Sequence, residues 1–222
     1  MESEQYRSRR VYHIKQTWWM LALAVILPFV FVSVVIVPSV GRSHRSSAMA
    51  TTSHNAKQIH LALFDFDQDY GQFPCDATAK SEPKLRGYYG VYSNDYLGQL
   101  LASGIVESES NFYAQGGTKL DQRVDDDFST KEKTLEAGEC GFAYVKGLNT
   151  VESNYKTPLL LSPMYGDGYK FNNEIYNGRA MILRVDGALK QYKIDADHLL
   201  MTNESRGFFP RGQRHGMGRG GL

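Results

Sequence analysis

The amino-acid sequence predicts an α+β fold: an N-terminal transmembrane helix running toward an amphipathic helix packed on a small antiparallel sheet. Three observations carry this reading. Residues 17–40 hold a long apolar run without a charge. Ala56, Ile59, Leu63, Phe66 and Tyr70 then recur at spacings of three and four. The last third alternates apolar and polar residues about an Asp186-Gly187 turn. Helical periodicity early, and strands with short turns late, argue for an antiparallel sheet against a helix rather than a parallel α/β sheet.

The apolar run comes first. No charged residue occurs from Gln16 to Gly41, and Trp18 to Val37 is almost wholly apolar. About twenty residues at ~1.5 Å each span roughly 30 Å, the thickness of a hydrocarbon core. A helix satisfies its own backbone polar groups there. Trp18 and Trp19 are placed to sit at the membrane interface, and Pro28 to kink the span. Ala48-Met49-Ala50 reads as a small-x-small cleavage site, but it lies beyond Arg42 and Arg45. The run also exceeds the ~7–15 residues of a signal core, so a retained anchor is expected. Arg7, Arg9, Arg10 and Lys15 precede the run, against Arg42, Arg45 and Lys57 after it. That bias places the basic residues 1–16 in the cytoplasm and the rest outside.

Residues 41–74 comprise a polar linker or helix continuation and then the amphipathic helix, with Gly71 as its stop and Pro74 beyond. One long rod and two pieces joined near Ser46 both fit this pattern. Residues 75–200 read as the extracytoplasmic α+β domain. A helix starts there with Asn94 or Asp95 as cap, carries Tyr96, Leu97, Leu100 and Leu101, and closes at Gly104. Residues 107–139 are polar and predict a long, loose loop. Strands follow at 141–145, 159–161, 180–185 and 188–194, the last two forming a hairpin. Residues 201–222 form a Gly/Arg-rich tail expected to be disordered.

Lys+Arg 25 against Asp+Glu 24 leaves a net charge of +1, with no pull toward nucleic acid, and none is expected as a partner. Cys75 and Cys140 are the only cysteines. On an oxidising face they are expected to pair, worth ~4 kcal/mol in the loop-entropy model; unpaired structural thiols are the alternative. Asp65, Asp67 and Asp69 invite a calcium reading, but the sixth loop position is Tyr70 instead of Gly and the twelfth is Asp76 instead of Glu. A solvated helix end fits better. Asp167, Asn172, Asn173 and Glu174 are weak candidates for a cation, and Asp125-Asp126-Asp127 reads as a solvated loop. No Ser/His/Asp set, phosphate-cradling loop or paired-His motif occurs, so neither catalysis nor a cofactor is expected.

Asn55 to Leu63, followed by Asp69-Tyr70-Gly71-Gln72-Phe73-Pro74, resembles the helix-to-loop junction of type IV pilins and type II secretion pseudopilins. Ser93 to Tyr96, Ala137 to Phe142 and Leu183 to Gly187 are similar to segments of bacterial pilin-like membrane proteins. The resemblance covers residues 17–195. It implies a non-enzymatic structural or assembly component of an envelope or secretion apparatus. The chain would be single-pass in the inner membrane, with the lipid bilayer and pilin-like or secretion-system proteins as partners. The chain departs from that family at His13 to Trp19, which lack the Gly and Glu of the prepilin cleavage motif. The alternative is a membrane-tethered binding module that uses the 107–139 loop or the basic tail.

Overall fold

The computed structural model describes residues 20, 23–31, 37–116, 125–165, 170–171 and 176–195. The chain divides into a unit Met1–His44 and a unit Arg45–Leu222. In the first unit residues 23–31 are helical, Pro28 included. Leu23, Ile26, Leu27, Phe29 and Val30 there are all more than half exposed. Such a bare apolar helix surface is one that water disfavours. Among the described residues no helix is long and apolar enough to cross a membrane. The expected span 17–40 is only partly among them: Trp18, Trp19, residues 21–22 and residues 32–36 lie outside the described residues.

Helix α1 (Val37–Tyr70) runs 34 residues with no break at Ser46. In the second unit it turns one face inward, burying Ala48, Thr52, Ala56, Ile59, Leu63 and Phe66. Tyr70 is half-buried with its ring 4.3 Å from that of Phe66, while Leu61 and Phe64 face outward. Polar residues flanking the buried face reach the chain around it. Asn55 Nδ2 donates to Tyr113 O (2.9 Å), and His60 Nε2 lies 3.0 Å from Val185 O. The helix stops at Gly71, whose φ is +75° and whose N–H donates to Asp67 O at 2.7 Å.

A four-stranded antiparallel sheet lies against this face in the order β1 (Ala143–Tyr144), β2 (Pro158–Leu161), β5 (Arg179–Arg184), β6 (Leu189–Lys193). Strands β3 (Met164–Tyr165) and β4 (Lys170–Phe171) pair separately. β2 and β5 are central and read as near-continuous apolar runs because both faces are covered; all of β2 is buried. Thr52 and Ala56 of α1 share one interior space with Leu160, Met181, Leu183 and Leu189 of the sheet. The edge strand β6 exposes Lys190, Gln191 and Lys193, and such lysines discourage pairing with another chain.

The hairpin of β5 and β6 turns at Asp186-Gly187, with Leu183 opposite Leu189. Gly187 has φ +74°, and a Cβ there would sit 2.9 Å from His60 Cε1. Gly187→Ala therefore combines left-handed strain with a clash against the helix, and is expected to cost about 1–3 kcal/mol. A fall in Tm of roughly 3–10 °C follows for a chain of this size. Gly71→Ala isolates the strain alone, since nothing lies within 4 Å of its Cβ position. Equal Tm losses in the two variants would refute the close approach of His60.

Two short helices pack beside the sheet. α2 (Asp76–Ser81) was not apparent from sequence periodicity, being a little over one turn long. α3 (Ser93–Ala102) buries Tyr96, Leu97, Leu100 and Leu101. Its expected caps behave differently from each other. Asp95 accepts from Tyr92 N at 3.0 Å from inside the first turn, while Asn94 turns inward and donates to Leu135 O (2.7 Å) and Glu136 O (3.0 Å). Ser93 Oγ accepts from Tyr144 N at 3.0 Å, which fixes α3 to β1.

Candidate functional site

Three segments converge beside α3. Glu109 opens a short 3-10 turn, Glu109–Phe112, after the cap Ser108, whose Oγ accepts from Ser110 N. The turn is held by Phe112, which is fully buried, and Phe112 O accepts from Gly141 N at 2.9 Å. That approach requires a glycine: a Cβ on Gly141 would lie 2.6 Å from the Ala114 side chain and 2.7 Å from its backbone. Glu139, two residues before Gly141, is thereby brought next to Glu109. It closes a tight turn on itself, with its Oε2 accepting from Glu136 N at 2.6 Å. The third segment is stapled by Asp126, which adopts φ +54° and accepts from Glu109 N (2.8 Å) and Ser108 Oγ (3.0 Å). Asp125 beside it bends back, its Oδ1 accepting from Asp127 N at 2.9 Å.

The result is a carboxylate cluster. Oxygens of Glu109, Asp125 and Glu139 all lie within 4.8 Å of one another. Glu109 and Glu139 are 0% and 3% exposed, and Asp125 faces solvent. Glu109 Oε1 accepts from Leu135 N at 2.8 Å, but its buried Oε2 has no hydrogen-bond partner among the described residues. Burial, reinforced by the neighbouring charges of Glu109, Asp125 and Glu136, pushes the Glu139 carboxyl up to about 6. Burial first, then the charges of Asp125 and Asp126, raises Glu109 as well, against the backbone N–H groups of Leu135 and Asp126. Among the described ion pairs none neutralises these three residues; the nearby Lys133 pairs with Asp127.

The segment 107–139, expected as a loose loop, is thus anchored at both described ends. Buried carboxylates and the amide of Asn94 take up its backbone groups, and Leu135 is only 2% exposed. Glu109 and Glu139 carry no signal in the sequence. A lone Glu between serines, and a Glu in a Gly-rich turn, become neighbours only through the contact at Gly141.

Elsewhere the acidic helix end divides. Asp65 and Asp69 are exposed, whereas Asp67 is buried and its Oδ2 accepts from both the N–H (3.1 Å) and the hydroxyl of Thr150. The three therefore do not converge on one ion. Lys146 reaches Asp76 at 3.0 Å and the Tyr96 hydroxyl at 2.5 Å, a satisfied network that ties the chain just after β1 to α2 and α3. Asp167, Asn172, Asn173 and Glu174 lie outside the described residues.

The cross-link expected between Cys75 and Cys140 is not formed: both are free, buried thiols. Each sits in its own surroundings. Cys75 precedes α2, where Thr78 Oγ1 lies 3.8 Å from its sulfur, and the Cys140 thiol donates to Phe142 O at 3.5 Å. Burial pushes the Cys140 thiol up to about 12, so almost none of it is thiolate at neutral pH.

The fold and this cluster define an α+β protein in which a long N-terminal helix backs an antiparallel sheet and carries a buried acidic site at its side. No protein-family model, characterised protein or solved structure matches the chain.

Proposed function

We propose that the chain is a membrane-anchored, pilin- or pseudopilin-like structural or assembly component of a bacterial envelope or secretion apparatus, without enzymatic activity. The observation that carries this reading is α1. Its inner face, from Ala48 to Phe66, is the wall on which an antiparallel sheet is built, and the sequence ahead of it is apolar. That order of anchor, helix, glycine stop and antiparallel strands is the order the junction resemblance implies. The exposed apolar side chains at residues 23–31 support burial in a bilayer, since no soluble chain leaves such a surface to water without cost. The chain then crosses the inner membrane once, with residues 75–200 outside and the lipid bilayer and secretion-type proteins as its partners. The missing Gly and Glu ahead of the anchor favour an assembly component over a processed filament subunit.

Topology is the test. The native thiols are silent reporters, because Cys75 is 7% and Cys140 0% exposed. Val151, at 89% exposed, is the place for a reporter. In intact cells, full-length Val151→Cys is expected to react with a membrane-impermeant maleimide within minutes, while the unmodified chain stays unlabelled until denatured. Labelling of Val151→Cys only after lysis would put the domain in the cytoplasm and end the envelope reading. Rapid labelling of the unmodified chain would refute the burial of its thiols.

A further inference from the structure

We infer that Glu109, Asp125 and Glu139 form a binding site for a hard divalent cation, with calcium as the size match. Two independent observations meet here. The first is geometric: three carboxylate oxygens within 4.8 Å of one another, a separation of no more than twice a ~2.4 Å calcium–oxygen bond. The second is the orphaned Glu109 Oε2. It belongs to a side chain that is 0% exposed, and among the described residues it has no hydrogen-bond partner. A buried carboxylate oxygen without a donor is costly, and a second buried carboxylate beside it adds repulsion. A cation removes both costs at once.

The donor set selects the metal class. All three ligands are oxygens, which suits calcium, magnesium or manganese and not the softer thiolate- and imidazole-loving ions. Asp125 is the open side, where water completes the coordination shell. The site draws its ligands from three loop segments instead of one rigid helix, which favours calcium's flexible geometry over magnesium's strict octahedron. Three carboxylates on loops place the affinity near that of extracellular calcium modules, a Kd of about 0.1–1 mM. The cation would cross-link the 3-10 turn at Glu109, the Asp125-Asp126 bend and the turn at Glu139. That gives the 107–139 segment a metal-dependent clasp beside α3. The site is independent of the anchor and of the chain's place in any apparatus.

The experiment uses the full chain in detergent, stripped with chelator and then titrated with calcium chloride, followed by calorimetry and by thermal melting. At 10 mM calcium the Tm is expected to rise by about 3–10 °C, as ligand linkage at ten- to hundredfold excess over Kd requires. Asp125→Asn, at an exposed position that leaves the core intact, is expected to weaken calcium binding at least tenfold. Glu109→Gln is expected to abolish the calcium response while raising the Tm of the metal-free chain, because it removes the buried repulsion. Asp65→Asn with Asp69→Asn is the control and keeps the full response. No calcium-dependent shift in the unmodified chain would overturn the site, as would a shift unchanged in both Asp125→Asn and Glu109→Gln.

Discussion

Replacing Phe66 by Ala is expected to destabilise the chain by about 3–5 kcal/mol. Phe66 is fully buried on the inner face of α1 and packs in the cluster that includes Ile59, Leu63 and Phe73. Its ring also meets Tyr70 at 4.3 Å with an interplanar angle of 34°, a tilted pair that adds to the area it buries. Truncation removes the ring from the seam between the helix and the rest of the domain. The remaining wall is backbone held by α1 itself, so the space collapses poorly. With total stabilities of about 5–15 kcal/mol for ordinary domains, this is a large share of the whole. Urea unfolding of the full chain should show a midpoint lower by roughly 1.5–2.5 M at an m-value near 2 kcal/mol/M. Phe64→Ala, two positions away on the outer face, is the control and should change stability by less than about 1 kcal/mol. Similar losses at Phe64 and Phe66 would mean that the helix does not present the inner face described.

Gln99→Leu is the second. Gln99 is 0% exposed, and it sits on α3 where an apolar residue would be expected. Thr78 Oγ1 donates to its Oε1 at 2.6 Å, while its Nε2 donates to Cys75 O at 3.0 Å and to Tyr88 O at 2.7 Å. One amide thus ties α3 to the start of α2 and to the chain at Tyr88. Leucine fills much the same volume but leaves the buried Tyr88 carbonyl without its donor, whereas Cys75 O keeps Ala79 N at 3.2 Å and the Thr78 hydroxyl keeps Cys75 O at 2.9 Å. The expected cost is about 1–3 kcal/mol, the penalty of one buried carbonyl left unpaired with two further hydrogen bonds lost. Thr78→Val carries a cost of its own, because the Thr78 hydroxyl also accepts from Cys75 N at 3.0 Å, but it should cost less beside Gln99→Leu than alone, since their shared hydrogen bond is then already gone. A coupling of about 0.5–1.5 kcal/mol between the two substitutions is the signature. Strict additivity, or a stabilised Gln99→Leu, would show that the network does not hold these elements together.

Much of the fold was readable before any coordinates. The inner face of α1 was legible because Ala56, Ile59, Leu63 and Phe66 repeat at helical spacing and nothing else explains that pattern. Gly71 and Pro74 punctuate the end of that helix by backbone chemistry alone. The hairpin was legible because Asp186-Gly187 supplies the left-handed turn and the flanking runs carry strand residues. Its close contact with His60 was not, since nothing local links residue 187 to residue 60. The described parts of 107–139 form the expected loop without strand or α-helix but are anchored instead of loose, for a similar reason. Composition sees polar residues and reports solvent, whereas Glu109, Glu139 and Asn94 are polar residues turned inward to satisfy backbone groups. The expected cross-link of Cys75 and Cys140 fails because two thiols in a sequence carry no information on their distance or direction.

The local and periodic part of the structure is thus written in the residue order: the α+β class, the apolar run, the helix with its face and stop, and the hairpin. These follow from side-chain spacing and from glycine and proline, whose effects act within a few residues. Which polar residues are buried, that the two thiols are unpaired, and that three carboxylates from distant segments share one place emerge only when the chain is folded. Those outcomes depend on non-local approach, above all of Gly141 to Ala114 and Gly187 to His60, where the absence of a Cβ lets two stretches of chain touch.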